Sequence, residues 1–230
     1  MFMHIAEYTP PIDLHKELNP DLWNGEDLRP EVRFALLKIA KEYYAFLDIN
    51  VPIIDLVVSG SQANYNYTKY SDLDLHLVVA YSKVQCDVEV DKLFDAKRRL
   101  WKDNHTIMVH SIPVELYAED VNKPAVSATY SVIKGEWIKR PAAPILDYDE
   151  AEVMRLVQVW ERVINSAVDT GNLEICKKVK DMLKVFRQAG LDKDGEYGSV
   201  NLAFKSLRND GMVGKLMSAI VDLTDKDLSI

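Results

Sequence analysis

The sequence has little cysteine, no long apolar run, no surplus of positive charge and no internal repeat. Its two cysteines, Cys86 and Cys176, lack the paired spacing of a metal-binding motif, and each sits beside helix-like sequence. Both are therefore expected as free, reduced thiols. No stretch is apolar enough to span a bilayer, and the N-terminus MFMHIAEYTPPIDLHKEL lacks a basic region followed by an apolar core. These absences set membrane insertion and secretion aside, and a cytoplasmic location is expected. Lys plus Arg number 28 against 36 Asp plus Glu, a formal net charge of -8 at pH 7. Extended double-stranded DNA binding is not expected, because non-specific binding rests on neutralising phosphates. A local basic groove stays open.

What is present is an ordinary globular composition. Of the 230 residues, 48% are hydrophobic, enough for one sizeable core or for two small lobes sharing a cleft. Residues 1–27 hold Pro10, Pro11 and Pro20 and no sustained period, which reads as an arm wrapping the surface. LRPEVRFALLKIAKEYYAFLD then places Pro30 and Glu31 at a helix start, with Val32, Leu36, Ile39, Tyr43 and Phe46 at helical spacing. IIDLVV at 53–58 is a buried strand leading straight to Gly60 and Ser61, and SDLDLHLVVAY is the next strand. Residues 87–105 return to helical spacing through Val90, Leu93, Ala96 or Lys97, and Leu100 or Trp101. TIMVHSIPVELYAED supplies two short strands, or one strand broken at Pro113. TYSVIKGEWIKRPAAP reads as a hairpin turning at Lys134 and Gly135, with Pro141 and Pro144 marking a boundary. Beyond Asp147 the pattern is helical: a stripe from Val153 to Ala167 stopped by Gly171, a second helix ending at Gly190, a loop GLDKDGEYGS, and one interrupted or two short helices. The fold class is α+β, with an α/β lobe over 1–142 and a helical lobe over 143–230.

One stretch is chemically unusual. In GSQANYNYTKYSDLDLHLVV, residues 60–79, a Gly-Ser is followed by ten residues and then by two aspartates, one residue apart, inside an apolar run. Strand geometry puts Leu73, Leu75, Leu77 and Val79 on one face and Asp72, Asp74 and His76 on the other. Two neighbouring carboxylates repel one another and resist burial, so a positive partner is required, and a divalent cation is the obvious one. The competing reading is an edge strand with a solvated acidic face.

The segment GSQANYNYTKYSDLDL resembles the signature of the polymerase-β-like nucleotidyltransferase superfamily: Gly-Ser at a strand end, a spacer, then Asp-x-Asp on the next strand. The Ser-Asp-Leu-Asp-Leu wording is especially similar to the minimal, the antibiotic and the oligoadenylate-synthetase-like members. The strand, Gly-Ser, strand, helix and later acidic strand extend the likeness over about residues 30–118. More loosely, LNPDLW, LRPEVR and GLDKDGEY resemble phage-type nucleotidyltransferases. The resemblance implies a nucleotidyltransferase-fold mixed sheet with flanking helices, and a magnesium- or manganese-dependent transfer of NMP from an NTP, with ATP the expected substrate. The acceptor is left open among an RNA end, a protein, a small molecule and another nucleotide. A catalytically inactive nucleotide-sensing or partner-binding protein on the same fold is the alternative.

On that resemblance Asp72 and Asp74 are metal ligands and catalytic residues, and a third acid on a neighbouring strand completes the set. Glu115 in PVELY is the choice, flanked by apolar Val114 and Leu116, with Glu119 and Asp120 as fallbacks; many relatives carry Asp there, and a solvated strand acid is the other reading. Gly60 lets the backbone approach polyphosphate, and the Ser61 hydroxyl with amides at a helix start can hold phosphate oxygens. Tyr65 stands where relatives often carry glycine, with Tyr67 and Tyr70 following; they could stack on a base, but packing between loop and sheet is the expected role. His76 could touch substrate, although a lone strand histidine is more often structural, and His105 and His110 lack metal-like local spacing. Tyr130 and Trp137 are candidates for stacking on a base, with hairpin core contacts the expected reading. The stripe Lys177, Lys178, Lys180, Lys184 and Arg187, with Lys205 and Arg208, is expected to be largely a solvated face, from which the resemblance suggests one cation reaching the triphosphate.

Overall fold

The computed structural model describes residues 14–85, 89–142 and 148–229. The first half of the expected arm, Cys86 and Pro144 lie outside the described residues. Those described form six α-helices, a six-stranded mixed sheet and a two-stranded sheet, a mixed α+β architecture. Leu14–Pro144 forms one compact unit, and Ile145–Ile230 belongs to a second. Among the described residues no helix is long and apolar enough to cross a membrane.

The first unit opens with a small hairpin, β1 (Trp23–Asn24) and β2 (Asp27–Leu28). The surface arm expected here is corrected over its second half: Leu18, Leu22 and Trp23 are buried in the core. The reason is aromatic packing, which no local period announces. Trp23 stacks on Trp137 at 5.0 Å and meets the Tyr130 ring edge-on at 5.1 Å. Tyr130 and Trp137 are thus core contacts of this cluster.

Helix α1 (Pro30–Leu47) begins with Pro30, whose missing N–H costs nothing at that position, and buries Val32, Leu36, Ala40, Tyr43 and Leu47. Its Arg33 guanidinium donates to the carbonyls of Val132 and Ile133, each at 2.7 Å, tying the helix to the distant hairpin. The sheet follows as β3 (Asp55–Ser59), β4 (Leu73–Val79), β5 (Met108–Val109), β6 (Ile112–Asp120), β7 (Thr129–Ser131) and β8 (Glu136–Lys139), in the spatial order β5-β6-β4-β3-β7-β8. Only the β4–β6 pair is parallel, and α2 (Val90–Asn104) supplies the crossover such a pair needs. Pro113 sits within β6 on the side paired to the two-residue edge strand β5, so it interrupts little of the ladder. Leu73, Leu75, Leu77 and Val79 are fully buried and alternate with half-buried Asp74, His76 and Val78. On α2 the buried stripe passes through Phe94 and half-buried Trp101, with Leu100 exposed.

The second unit contains α3 (Glu150–Asp169), α4 (Leu173–Asp194), α5 (Ser199–Asn209) and α6 (Met212–Leu228). Asp149 and Asn172 cap α3 and α4 by accepting from the amides of Glu152 and Ile175. The expected end of α4 at Gly190 is corrected. The helix runs on to Asp194, and Gly190 serves close packing instead: a Cβ there would lie 2.3 Å from Val200 of α5. Cys176 is a free, buried thiol whose S–H points at the Ala167 carbonyl, 3.4 Å away. Lys205, expected near a solvated stripe, is buried on α5 beside buried Asn201 and Ser206.

Candidate functional site

The ladder itself assembles the acids. Asp74 of β4 pairs with Glu115 of β6 in the parallel register and with Ser59 of β3 on its other side. Partners in register share a face of the sheet, so Asp74 and Glu115 stand side by side on the one opposite the buried leucines. The fallback acids are displaced along the strand, Glu119 opposite Val78 and Asp120 opposite Val79. At about 3.3 Å per residue they stand roughly 13–17 Å from the Asp74 level. Asp72 lies one residue before β4 and lines a pocket together with Glu115.

Gly60 ends β3 against these acids. Its φ of +75° is accessible to glycine at little cost, and a Cβ at this position would fall 2.1 Å from Asp74 Oδ2. The backbone therefore approaches the carboxylate as closely as a side-chain-free residue allows. The helix start expected at Ser61 is corrected to a single 3-10 turn, Ser61–Ala63, whose amides at Ala63 and Asn64 donate within the turn. A macrodipole of the kind a long helix offers phosphate is absent at this turn.

The spacer between Gly-Ser and the acids is tied down by packing. Gln62 is buried, accepts from Asn19 Nδ2 at 3.0 Å, donates to the Ser71 carbonyl at 3.1 Å, and its own carbonyl accepts from the Trp23 indole at 2.8 Å. Tyr65 packs against the core, and Tyr67 lies flat on His15, ring centroids 3.8 Å apart. Tyr70 is exposed. Two of the three tyrosines thus act as loop packing. A tight turn, in which the Thr68 amide donates to Ser71 Oγ and the Ser71 amide to the Thr68 carbonyl, delivers the chain to Asp72.

Glu115 is held from two directions. Lys102 of α2 donates to Oε1, and the Tyr117 hydroxyl donates to Oε2 at 2.6 Å. Burial works to raise the carboxyl's pKa, but those hydrogen bonds, with the charges of Lys102 and Arg98, outweigh it and hold the group below the usual carboxylate range. Burial, then the nearby Asp74 charge and Glu115, push the Tyr117 phenol well up, so it stays a donor at neutral pH. Arg98, bonded to Asp95 at 2.7 Å, lies over the Tyr117 ring at 5.2 Å.

Further along the same face runs a second chain of contacts. Ser59 Oγ lies 3.1 Å from His76 Nε2, His76 Nδ1 lies 2.6 Å from Glu119 Oε2, and Lys123 reaches Glu119 Oε1 at 2.9 Å. The His76 ring stacks on Tyr117 at 4.7 Å. Burial opposes the Glu119 charge, yet the contacts from His76 and Lys123 pull the carboxyl down to about 2.

No protein-family model, curated protein or solved structure matches this chain. The site is therefore judged on its own geometry. Among the described residues no three His, Cys, Asp or Glu side chains stand together as a ready metal cluster. The donors are nonetheless hard carboxylate oxygens of the kind magnesium prefers. Asp74 and Glu115 are in register, and Gly60, lacking a side chain, lies against Asp74. Carboxylate chemistry and register are compatible with a divalent ion, for which Glu115 would have to give up Lys102. Sequence reasoning missed Lys102, Arg98 and Tyr117. Tyr117 was within its reach, because it stands two residues from Glu115 on the same strand face. The two α2 cations were not, since helical spacing names a face but no partner on another element.

Proposed function

We propose that the chain is a magnesium-dependent nucleotidyltransferase, moving NMP from an NTP, with ATP the expected donor, to an acceptor hydroxyl with release of pyrophosphate. The observation that carries the reading is the juxtaposition at one level of the sheet: Gly60 against Asp74, and Asp74 in register with Glu115. The Ser-Asp-Leu-Asp-Leu wording adds the resemblance to the polymerase-β-like superfamily. Bound magnesium would lower the pKa of the attacking hydroxyl and neutralise the departing pyrophosphate. Asp72, Asp74 and Glu115 would hold it, and the open backbone at Gly60 and the Ser61 hydroxyl would admit and orient the phosphates. Tyr117 positions Glu115 through Oε2, and Lys102 would leave Oε1 to the ion.

A second reading, a nucleotide-binding protein without turnover, draws support from one observation: Glu115 is occupied by Lys102 and Tyr117. One experiment separates the two. The protein is incubated with each labelled NTP, magnesium or manganese, and pools of RNA, protein and small-molecule acceptors, beside Asp72→Asn and Asp74→Asn controls. Pyrophosphate release above the controls is the expected result. Metal-dependent NTP binding with no release favours the second reading, and neither binding nor release overturns both.

A further inference from the structure

We propose that the pocket beside Glu115 is the acceptor's pocket and that it takes a single aromatic ring bearing a hydroxyl and an anionic group. The inference rests on the nucleotidyl-transfer reading and deepens it by naming the acceptor class. The pocket has a volume of about 190 Å³ and is lined by Asp72, Arg98, Trp101, Lys102, His105 and Glu115, among others. A dry cavity of about 150 Å³ holds benzene, so this one holds one ring with small substituents. A nucleotide, with its ribose and phosphate, exceeds it.

The walls choose the chemistry of that ring. Trp101 and His105 stand 4.0 Å apart at 45° and give the pocket an aromatic side on which a planar ligand packs. Two of the three candidate metal ligands, Asp72 and Glu115, are on the same lining, which puts a ring hydroxyl beside them. The charges decide the rest. Two acids and two cations line the pocket, and Lys102 is committed to Glu115. A divalent ion taken by the acids releases Lys102 from Glu115, whereas Arg98 keeps its Asp95 partner, so the occupant that matches the freed ammonium is an anion. A charge-assisted contact to that ammonium favours a carboxylate or phosphate.

A free hydroxyaryl acid is such a ligand, and a pyrimidine nucleotide, whose ribose and phosphate exceed the pocket, is the control. The indole N–H resonance of Trp101, assigned by its loss in Trp101→Phe, is followed by NMR in the full-length protein with magnesium. 3-Hydroxybenzoate is titrated in one arm and uridine 5′-monophosphate in the other. A saturable shift of that resonance is expected with 3-hydroxybenzoate, which should bind more tightly than the nucleotide. Binding should weaken about tenfold in Lys102→Met, the equivalent of one charge-assisted contact. It should weaken less in His105→Ala, a change at an exposed residue. No shift at Trp101 from 3-hydroxybenzoate, tighter binding of the nucleotide, or a shift that neither substitution weakens, overturns the proposal. Failure of the parent reading looks different. Label transfer to another acceptor with Trp101 silent removes the pocket and leaves the transferase. Probe binding at Trp101 without pyrophosphate release under any acceptor removes the transferase, and with it the acceptor role.

Discussion

Glu115 and Glu119 are nearly the same residue twice. They sit on one strand with one residue of the same face between them, and each side chain is 18% exposed. Both carboxyls are held below the usual range by neighbouring donors against the opposing effect of burial. What separates them is the partner across the ladder. Glu115 stands opposite an acid, Asp74, whereas Glu119 stands opposite Val78 and finds its partners in His76 and Lys123. A depressed carboxylate pKa therefore does not mark the candidate site in this sheet. Register marks it.

The comparison breaks most sharply under substitution. Asp74→Asn and Glu115→Gln should each lower turnover by roughly a hundredfold or more, because a metal ligand contributes several kcal/mol to transition-state charge stabilisation. Glu119→Gln should leave turnover within about threefold of wild type, since by register it belongs to a stabilising pair. Steady-state pyrophosphate release measures all three. If Glu119→Gln proves as damaging as Glu115→Gln, the division between the two glutamates fails.

Gly60→Ala probes the Asp74 side. The added Cβ would meet Asp74 Oδ2 at 2.1 Å from a backbone at φ +75° and ψ -158°, a region almost confined to glycine. Denaturant unfolding should show a loss of about 1–3 kcal/mol, together with loss of turnover as the carboxylate is displaced.

Acid unfolding sharpens the Glu119 side. Its folded pKa of about 2 lies below the ordinary 4.5, so its contribution is present above the ordinary value and is lost as pH falls from about 4.5 toward 2. The contribution is on the order of 3 kcal/mol. Glu119→Gln should flatten the wild-type fall in stability across that window when unfolding is followed as a function of pH. An unchanged slope would show that the pair contributes nothing to folding.

The smallest effects concern the holders of Glu115. Tyr117→Phe removes a 2.6 Å hydrogen bond while keeping a ring to stack on His76, and should cost about 1 kcal/mol in unfolding experiments. Lys102→Met should cost no more than about 0.5 kcal/mol, because that side chain is 62% exposed and the pair is screened by solvent.

The parts legible in the sequence were those written in local periods. Leu73, Leu75, Leu77 and Val79 alternate cleanly with Asp74 and His76, and the stripe of α1 from Val32 to Leu47 follows its helical spacing. The placing of Gly60 against Asp74 and of Glu115 in register with it follows the motif and the strand order. The burial of Leu22 and Trp23 was not legible, because it depends on Trp137 and Tyr130, more than a hundred residues away along the chain. Gly190 read as a helix stop because glycine favours that position, yet tertiary contact with Val200 uses its lack of a side chain within a continuing helix. Within the site, the sequence could name the carboxylates but not their counter-charges. Lys102 and Arg98 belong to a solvent-rich helix, and only the crossover from β4 through α2 to β6 brings them to Glu115 and Tyr117.

The central claim, that the Asp74–Glu115 level of the sheet holds the divalent ion, is tested most directly by counting bound Mn²⁺ in the presence of NTP by electron paramagnetic resonance. The wild type and Glu119→Gln should bind the ion alike, and Asp74→Asn and Glu115→Gln should lose it. Undiminished binding in Asp74→Asn, or equal loss in Glu119→Gln, would contradict the account.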